Sequence, residues 1–73
     1  MSIEQQIIDI TNKKLGRDDV KIDNSFSYLG FNSMDIIEMT MDVESEFNIE
    51  ISDHEYDGIV TLRDVAVIVE KKL

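Results

Sequence analysis

The chain has 73 residues, no Cys, no Pro and only three Gly, and it carries 16 acidic against 7 basic side chains for a net charge of −9. That length accommodates one small domain, residues 1–73, with a thin core, because a chain of this size hides only about 60% of its unfolded surface. The charge excludes nucleic-acid binding and simple attraction to anionic membranes, the missing Cys excludes a disulfide framework or thiolate metal site, and no apolar run is long enough to span a bilayer.

Glu4, Gln5, Gln6 and Asp9 interrupt any signal-peptide core, so a cytoplasmic protein is expected. No Lys or Arg lies between Ile22 and Leu62, whereas Asp23, Asp35, Glu38, Asp42, Glu44, Glu46, Glu50, Asp53, Glu55 and Asp57 all do. The simplest reading is a solvated surface that keeps the protein soluble. The other reading is a face for partners with Arg/Lys patches. Either way, clustered carboxylates repel one another, and moderate salt or Mg²⁺ is expected to raise the melting temperature.

In chain order, the first helix is expected from Ser2 to Leu15. Ser2 and Gln5 have capping-box spacing, and Ile3, Ile7 and Ile10 recur on one face with Ile8 and Leu15 alongside. Lys13 and Lys14 in the last turn oppose the helix dipole, and Gly16 is placed to end the helix in a left-handed conformation. A long connection follows to about Asn32. Val20, Ile22, Phe26 and Leu29 anchor it over the helices, with room for a short helical turn.

Helix two starts at Asn32 or Ser33 and reaches Phe47, with Asn32 as N-cap and Asp35 three residues on. Ser52 and Glu55 open a short helix that ends near Gly58. Thr61, with Asp64 at the third position, caps the last helix, whose apolar face is Val65, Ala66, Ile68 and Val69. Its β-branched run resembles a strand, but nothing nearby reads as a partner for it. The fold expected is all-α, a small four-helix bundle of three main helices and one short one, with a long first loop.

On a wheel of about 100° per residue, helix two shows two apolar stripes. Ile36, Met39, Val43 and Phe47 form one, and Met34, Ile37 and Met41 form another nearly opposite. Asp35, Glu38 and Asp42 border the second stripe on one edge, and Glu44 lies toward the other. A surface helix needs one stripe for its core. The Met-rich stripe with its acids therefore reads as a docking surface for basic partners; the alternative is a helix buried on both sides. Ser33 stands at the N-terminal end of that face. If Asn32 is the cap, the serine hydroxyl points outward, where free N–H groups and the dipole favour an attached phosphate; a lone Ser in this position is more often only a cap.

Leu29-Gly30-Phe31-Asn32-Ser33-Met34-Asp35, followed by Ile37-Glu38-Met39 and by Glu44-Ser45-Glu46-Phe47-Asn48-Ile49-Glu50-Ile51-Ser52-Asp53, resembles the acyl carrier protein family, in which Leu-Gly-x-Asp-Ser-Leu is followed by acidic and apolar residues and a Glu-Phe pair. The match runs without gaps from about Phe26 to the last helix. The resemblance implies that Ser33 carries 4′-phosphopantetheine through a phosphodiester, installed by a Mg²⁺-dependent holo-synthase, and that the arm's thiol holds acyl groups as thioesters. It implies that Met34, Asp35, Ile37, Glu38, Met41, Asp42 and Glu44 face partner enzymes with basic patches. It also implies that the acyl chain enters a cleft beside Val43, Phe47, Ile59 and Val65. The chain departs from the family with Asn32 for Asp, Met34 for Leu, Ser52 for Pro, and His54 where an acid is common.

A non-enzymatic, monomeric carrier serving fatty-acid, polyketide or lipid-synthesis enzymes is the leading expectation. A peptidyl or D-alanyl carrier shares the serine and the arm, but tends to have a less acidic helix two. An acidic interaction module with unmodified Ser33 is the alternative outside the family. The acids lack the alternating ligand loop of a calcium site, and one His without Cys leaves no nucleophile–base pair for an enzyme.

Overall fold

The computed structural model describes residues 2–73, which form four helices: α1 (Ile3–Leu15), α2 (Ser33–Phe47), α3 (Asp53–Tyr56) and α4 (Leu62–Lys72). The order and bounds follow the expected helices closely. α1 begins where the Ser2 hydroxyl accepts from the Gln5 N–H at 3.1 Å. Only half of the expected capping box forms, because the Gln5 amide turns to Asp9 at 2.9 Å instead of reaching back. The helix ends at Gly16, whose φ of +67° is costly for any residue with a Cβ. There the Arg17 N–H bonds the Asn12 carbonyl at 2.9 Å, closing off the last turn.

α1 packs against both α4 and α2. Ile7, Met39, Val43, Leu62, Val65, Ala66 and Val69 are fully buried between these helices. Thr11 is buried with them and donates to the Ile7 carbonyl at 2.8 Å, so its hydroxyl is satisfied within its own helix.

The long loop is pinned at several points. Val20, Phe26 and Leu29 are buried, and Ile22 packs partly against the same core. The Asn12 side chain accepts from the Val20 N–H at 3.1 Å. The loop also makes a short antiparallel pairing with the segment before α4, which the sequence reading did not foresee. Ser25 and Thr61 form a bridge, Phe26 N–H bonds Val60 O at 2.9 Å, and Leu62 N–H bonds Asn24 O at 3.2 Å. The Phe26 ring, 1% exposed, then tilts against Phe31 with centroids 5.2 Å apart. The expected helical turn is an isolated turn over residues 25–30, closed by Leu29 N–H on Ser25 O at 3.2 Å.

α4 starts from a complete capping box, with Asp64 Oδ2 accepting from the Thr61 N–H at 2.9 Å while the Thr61 hydroxyl oxygen accepts from the Asp64 N–H at 3.3 Å. The Thr61 N–H, joined by the Val60 N–H at 2.9 Å, holds the Asp64 carboxyl below its usual range. α3 lacks packing of comparable extent and is held largely by side chains. Glu55 accepts from the Ser52 N–H at 2.9 Å and from its hydroxyl at 2.8 Å, and pairs with Lys72 of α4 at 3.1 Å.

Candidate functional site

Ser33 reaches its position through the turn that precedes it. Gly30 takes φ +86°, and Phe31 N–H returns to Phe26 O at 2.9 Å, so the chain leaves the buried Leu29 and rises to the start of α2. Asn32 is the N-cap. Its Oδ1 accepts from the Asp35 N–H at 2.9 Å, and Asp35 Oδ2 accepts from the Asn32 N–H at 2.9 Å. This reciprocal pair satisfies the cap without Ser33. The serine is the first helical residue, exposed, with its hydroxyl outside the capping pattern.

Ser33 also stands at the mouth of a cleft of about 410 Å³ between α2 and α3. Ile36 and Ile37 form one wall, Asp53, Tyr56 and Asp57 the other, and Ile59 lies beyond them. The lining is mostly apolar, with carboxylates on the α3 side. A larger depression of about 470 Å³ between α1 and α2 is lined mainly by polar and charged side chains and does not include Ser33.

The two stripes of α2 separate cleanly. Met39 and Val43 are fully buried, with Ile36 and Phe47 partly so. Met34 is 63%, Ile37 41% and Met41 59% exposed, so this helix is not buried on both sides. The acids around the exposed stripe are not equivalent. Lys14 of α1 lies 3.6 Å from Glu38 and 3.4 Å from Asp42. Glu44 accepts from the Ile51 N–H at 2.8 Å, which ties the end of α2 to the following loop. Asp35 serves the cap. Asp53 and Asp57 on the α3 side are exposed.

A phosphopantetheine-type group fits these residues. The attachment hydroxyl is free of the cap, the helix N-terminus favours an attached anion, and apolar walls begin beside it.

Comparison with known proteins agrees with this geometry. The family model described as a phosphopantetheine attachment site matches residues 5–67. The chain belongs to the acyl carrier protein family. It is 39% identical to an acyl carrier protein of Bdellovibrio bacteriovorus, with 99% of this chain and 96% of that one covered. It is 35% identical to an acyl carrier protein of Exiguobacterium, with both chains covered in full. It is also similar to the crystal structure of an acyl carrier protein from Thermotoga maritima, with a TM-score of 0.79, 37% identity, and 93% of this chain and 82% of that one covered. Membership of this family makes 4′-phosphopantetheine its cofactor and carriage its role.

The four residues that the resemblance placed beside an acyl chain lie at different depths. Ile59 lines the cleft, Val43 and Val65 are fully buried in the core, and Phe47 lies partly buried about four turns from Ser33. Thr40 is buried beside Met39 and Val43, and Tyr56 reaches it across the cleft. Thr40 and Tyr56 were missed because a Thr within an apolar stripe and a Tyr in a four-residue helix carry weak signals. The spacing of Thr40 four residues after Ile36 was the available clue. His54 is exposed beside the Ser52 hydroxyl at 3.2 Å. Among the described residues, no group of three His, Cys, Asp or Glu side chains is placed to hold a metal, and no helix is long and apolar enough to cross a membrane.

Proposed function

We propose that Ser33 carries 4′-phosphopantetheine through a phosphodiester on its hydroxyl, and that the chain presents acyl groups to fatty-acid, polyketide or lipid-synthesis enzymes. The observation that carries this reading is the division of roles at the start of α2. Asn32 and Asp35 complete the cap between themselves, and Ser33 is left exposed at the mouth of the cleft. A diester anion at this first helical position lies where the helix dipole is positive. When attached, the group supplies a thiol that holds acyl chains as thioesters.

The chain's own residues position and present. Met34, Ile37 and Met41 offer an adaptable apolar strip beside the serine, and the surrounding carboxylates orient basic partners before contact. The holo-synthase and the acyl-transfer enzymes that use this face are expected to carry Arg/Lys patches, and they supply the catalysis. The carrier acts as a single domain and as a monomer.

Intact mass spectrometry after incubation with coenzyme A, Mg²⁺ and a phosphopantetheinyl transferase tests the assignment. Wild type should gain one phosphopantetheine and Ser33→Ala none. An unmodified wild type, or a modified Ser33→Ala, overturns it. Asn32→Asp in the same assay measures how much the transferase depends on a carboxylate before the serine, because Asp restores that charge and still caps.

A further inference from the structure

We propose that Lys14 competes with basic partners for two acids of α2, and so weakens the hold that the enzyme modifying Ser33 has on this carrier. The inference rests on the carrier reading and concerns the charge that its partners meet. Ile10 packs partly against the core, and Lys14 follows it one turn later on the same face of α1. The lysine therefore reaches the seam where α1 packs on α2, and it lines both depressions along that seam, of about 470 and 300 Å³. Its ammonium lies 3.4 Å from Asp42 and 3.6 Å from Glu38. These acids stand one turn apart on α2, and both are exposed. One cation thus serves two carboxylates that otherwise repel each other.

An exposed ion pair of this kind adds little to stability. Its consequence lies in what the carboxylates can still do. A guanidinium or ammonium of a partner that arrives at Glu38 or Asp42 meets a like charge already in place. It must share the oxygens with Lys14 or displace it. Charges at the rim of an interface act mainly on encounter and on its salt dependence, so that is where the lysine is felt. The acids across the cleft differ. Asp53 and Asp57 line it together with Ser33 and are exposed, and among the described residues neither has a cation within ion-pair distance. They keep their full charge for a basic partner, whereas Glu38 and Asp42 offer theirs only against Lys14.

The test measures KM and kcat of one phosphopantetheinyl transferase for the full chain, at fixed coenzyme A and Mg²⁺, in low and in high salt. Lys14→Gln is expected to lower KM about threefold at low salt, the scale of an exposed ion pair, with kcat unchanged. The gap should close at about 0.5 M salt, where screening leaves charges a reach of only a few ångströms. Lys14→Arg, which keeps the charge, should retain the wild-type KM. Glu38→Gln should raise KM less than about 1.5-fold in wild type and about threefold in the Lys14→Gln background. Asp57→Asn, which removes an acid that Lys14 does not pair with, should have the same effect in both backgrounds. Lys14→Met keeps the stem without the charge and carries the same expectations where Gln loosens the seam. An unchanged or raised KM for Lys14→Gln and Lys14→Met overturns the proposal. So does a gap that persists at high salt, which marks a change of shape, or a Glu38→Gln effect that is equal in both backgrounds. Coupling of Asp57→Asn to Lys14 as strong as that of Glu38→Gln overturns it too, because the lysine then acts only through net charge. A wild type that accepts no phosphopantetheine is a different result and counts against the carrier reading itself.

Discussion

On the α1–α4 side of the molecule, acids meet cations. Arg63 binds Asp23 at 2.8 Å and Glu4 at 3.0 Å, and its guanidinium holds the Asp23 carboxyl below the usual carboxylate range. That side is sealed by Ile7, Leu62, Val65 and Val69, all without exposure, and the long loop is bonded over it. On the α2–α3 side, exposed methionines stand among carboxylates, and the nearest cations are borrowed from elsewhere: Lys14 of α1 and Lys72 of α4. The contrast shows how a 73-residue chain keeps an exposed apolar strip despite a small core. It places its closest packing and its paired charges on one side, and leaves the methionines and most of the acids of α2 and α3 at the surface of the other.

The largest effect expected from breaking this division is on the packed side. Phe26→Ala removes a ring that is 1% exposed and in contact with Phe31, and it should cost about 3–5 kcal/mol in a urea titration. A loss below about 1 kcal/mol would mean that the loop anchor contributes little and that α1, α2 and α4 hold the fold by themselves. Next comes the boundary between the two sides. Asn32→Ala removes the acceptor for the Asp35 N–H and should cost about 1 kcal/mol, while Asn32→Asp should leave the stability nearly unchanged. If both variants lose stability equally, the Asn32 amide does something beyond capping.

A smaller effect is carried by pH at the tie between α3 and α4. The Ser52 backbone N–H, the Ser52 hydroxyl and Lys72 together lower the Glu55 carboxyl from 4.5 to about 2. A carboxyl depressed in the folded state binds its proton more readily once unfolded. Its contribution is therefore complete above about pH 4.5 and is lost as pH falls toward 2. Glu55→Gln should accordingly be less stable than wild type at pH 7, with the gap in melting temperature closing over that window. A gap that is the same at pH 7 and pH 2.5 would show that Glu55 acts through shape and not through charge.

Much of this arrangement was legible in the sequence, for local reasons. Ser2, Asn32, Ser52 and Thr61 each precede a helix by a fixed offset, and capping depends on nothing farther away. The exposed stripe was legible because Met34, Ile37 and Met41 repeat on the opposite side of α2 from Met39 and Val43. What stayed hidden depends on contacts between distant segments. The Ser25–Thr61 bridge joins residues 36 positions apart in extended stretches too short to read as strands. The hydrogen bond between Tyr56 and Thr40 spans 16 positions, so neither residue's own neighbourhood announces it. Lys14 reads as a helix-terminal cation in the sequence, yet in the fold it lies against Glu38 and Asp42 of α2.

The smallest effect on stability, and the sharpest separation of the two sides, is expected at the exposed methionines. Met34 and Met41 are 63% and 59% exposed, and neither belongs to the core cluster. Truncating either to Ala exposes no new core and leaves no cavity, so the denaturation midpoint should move by less than about 0.5 kcal/mol. The same truncation removes flexible apolar area beside Ser33, where a modifying enzyme must approach. Met34→Ala and Met41→Ala should therefore raise the KM of a phosphopantetheinyl transferase for this carrier while leaving its melting curve in place. Added salt should raise KM further in both variants and in wild type, since the acids around the stripe act over a distance that ions screen. A Met→Ala variant that loses more than about 1 kcal/mol would place the stripe in a buried contact, such as a self-association. A variant with unchanged KM would leave recognition to the carboxylates alone. Stability and KM thus respond to different faces of the same helix, and measuring both on each variant tests that separation one side chain at a time.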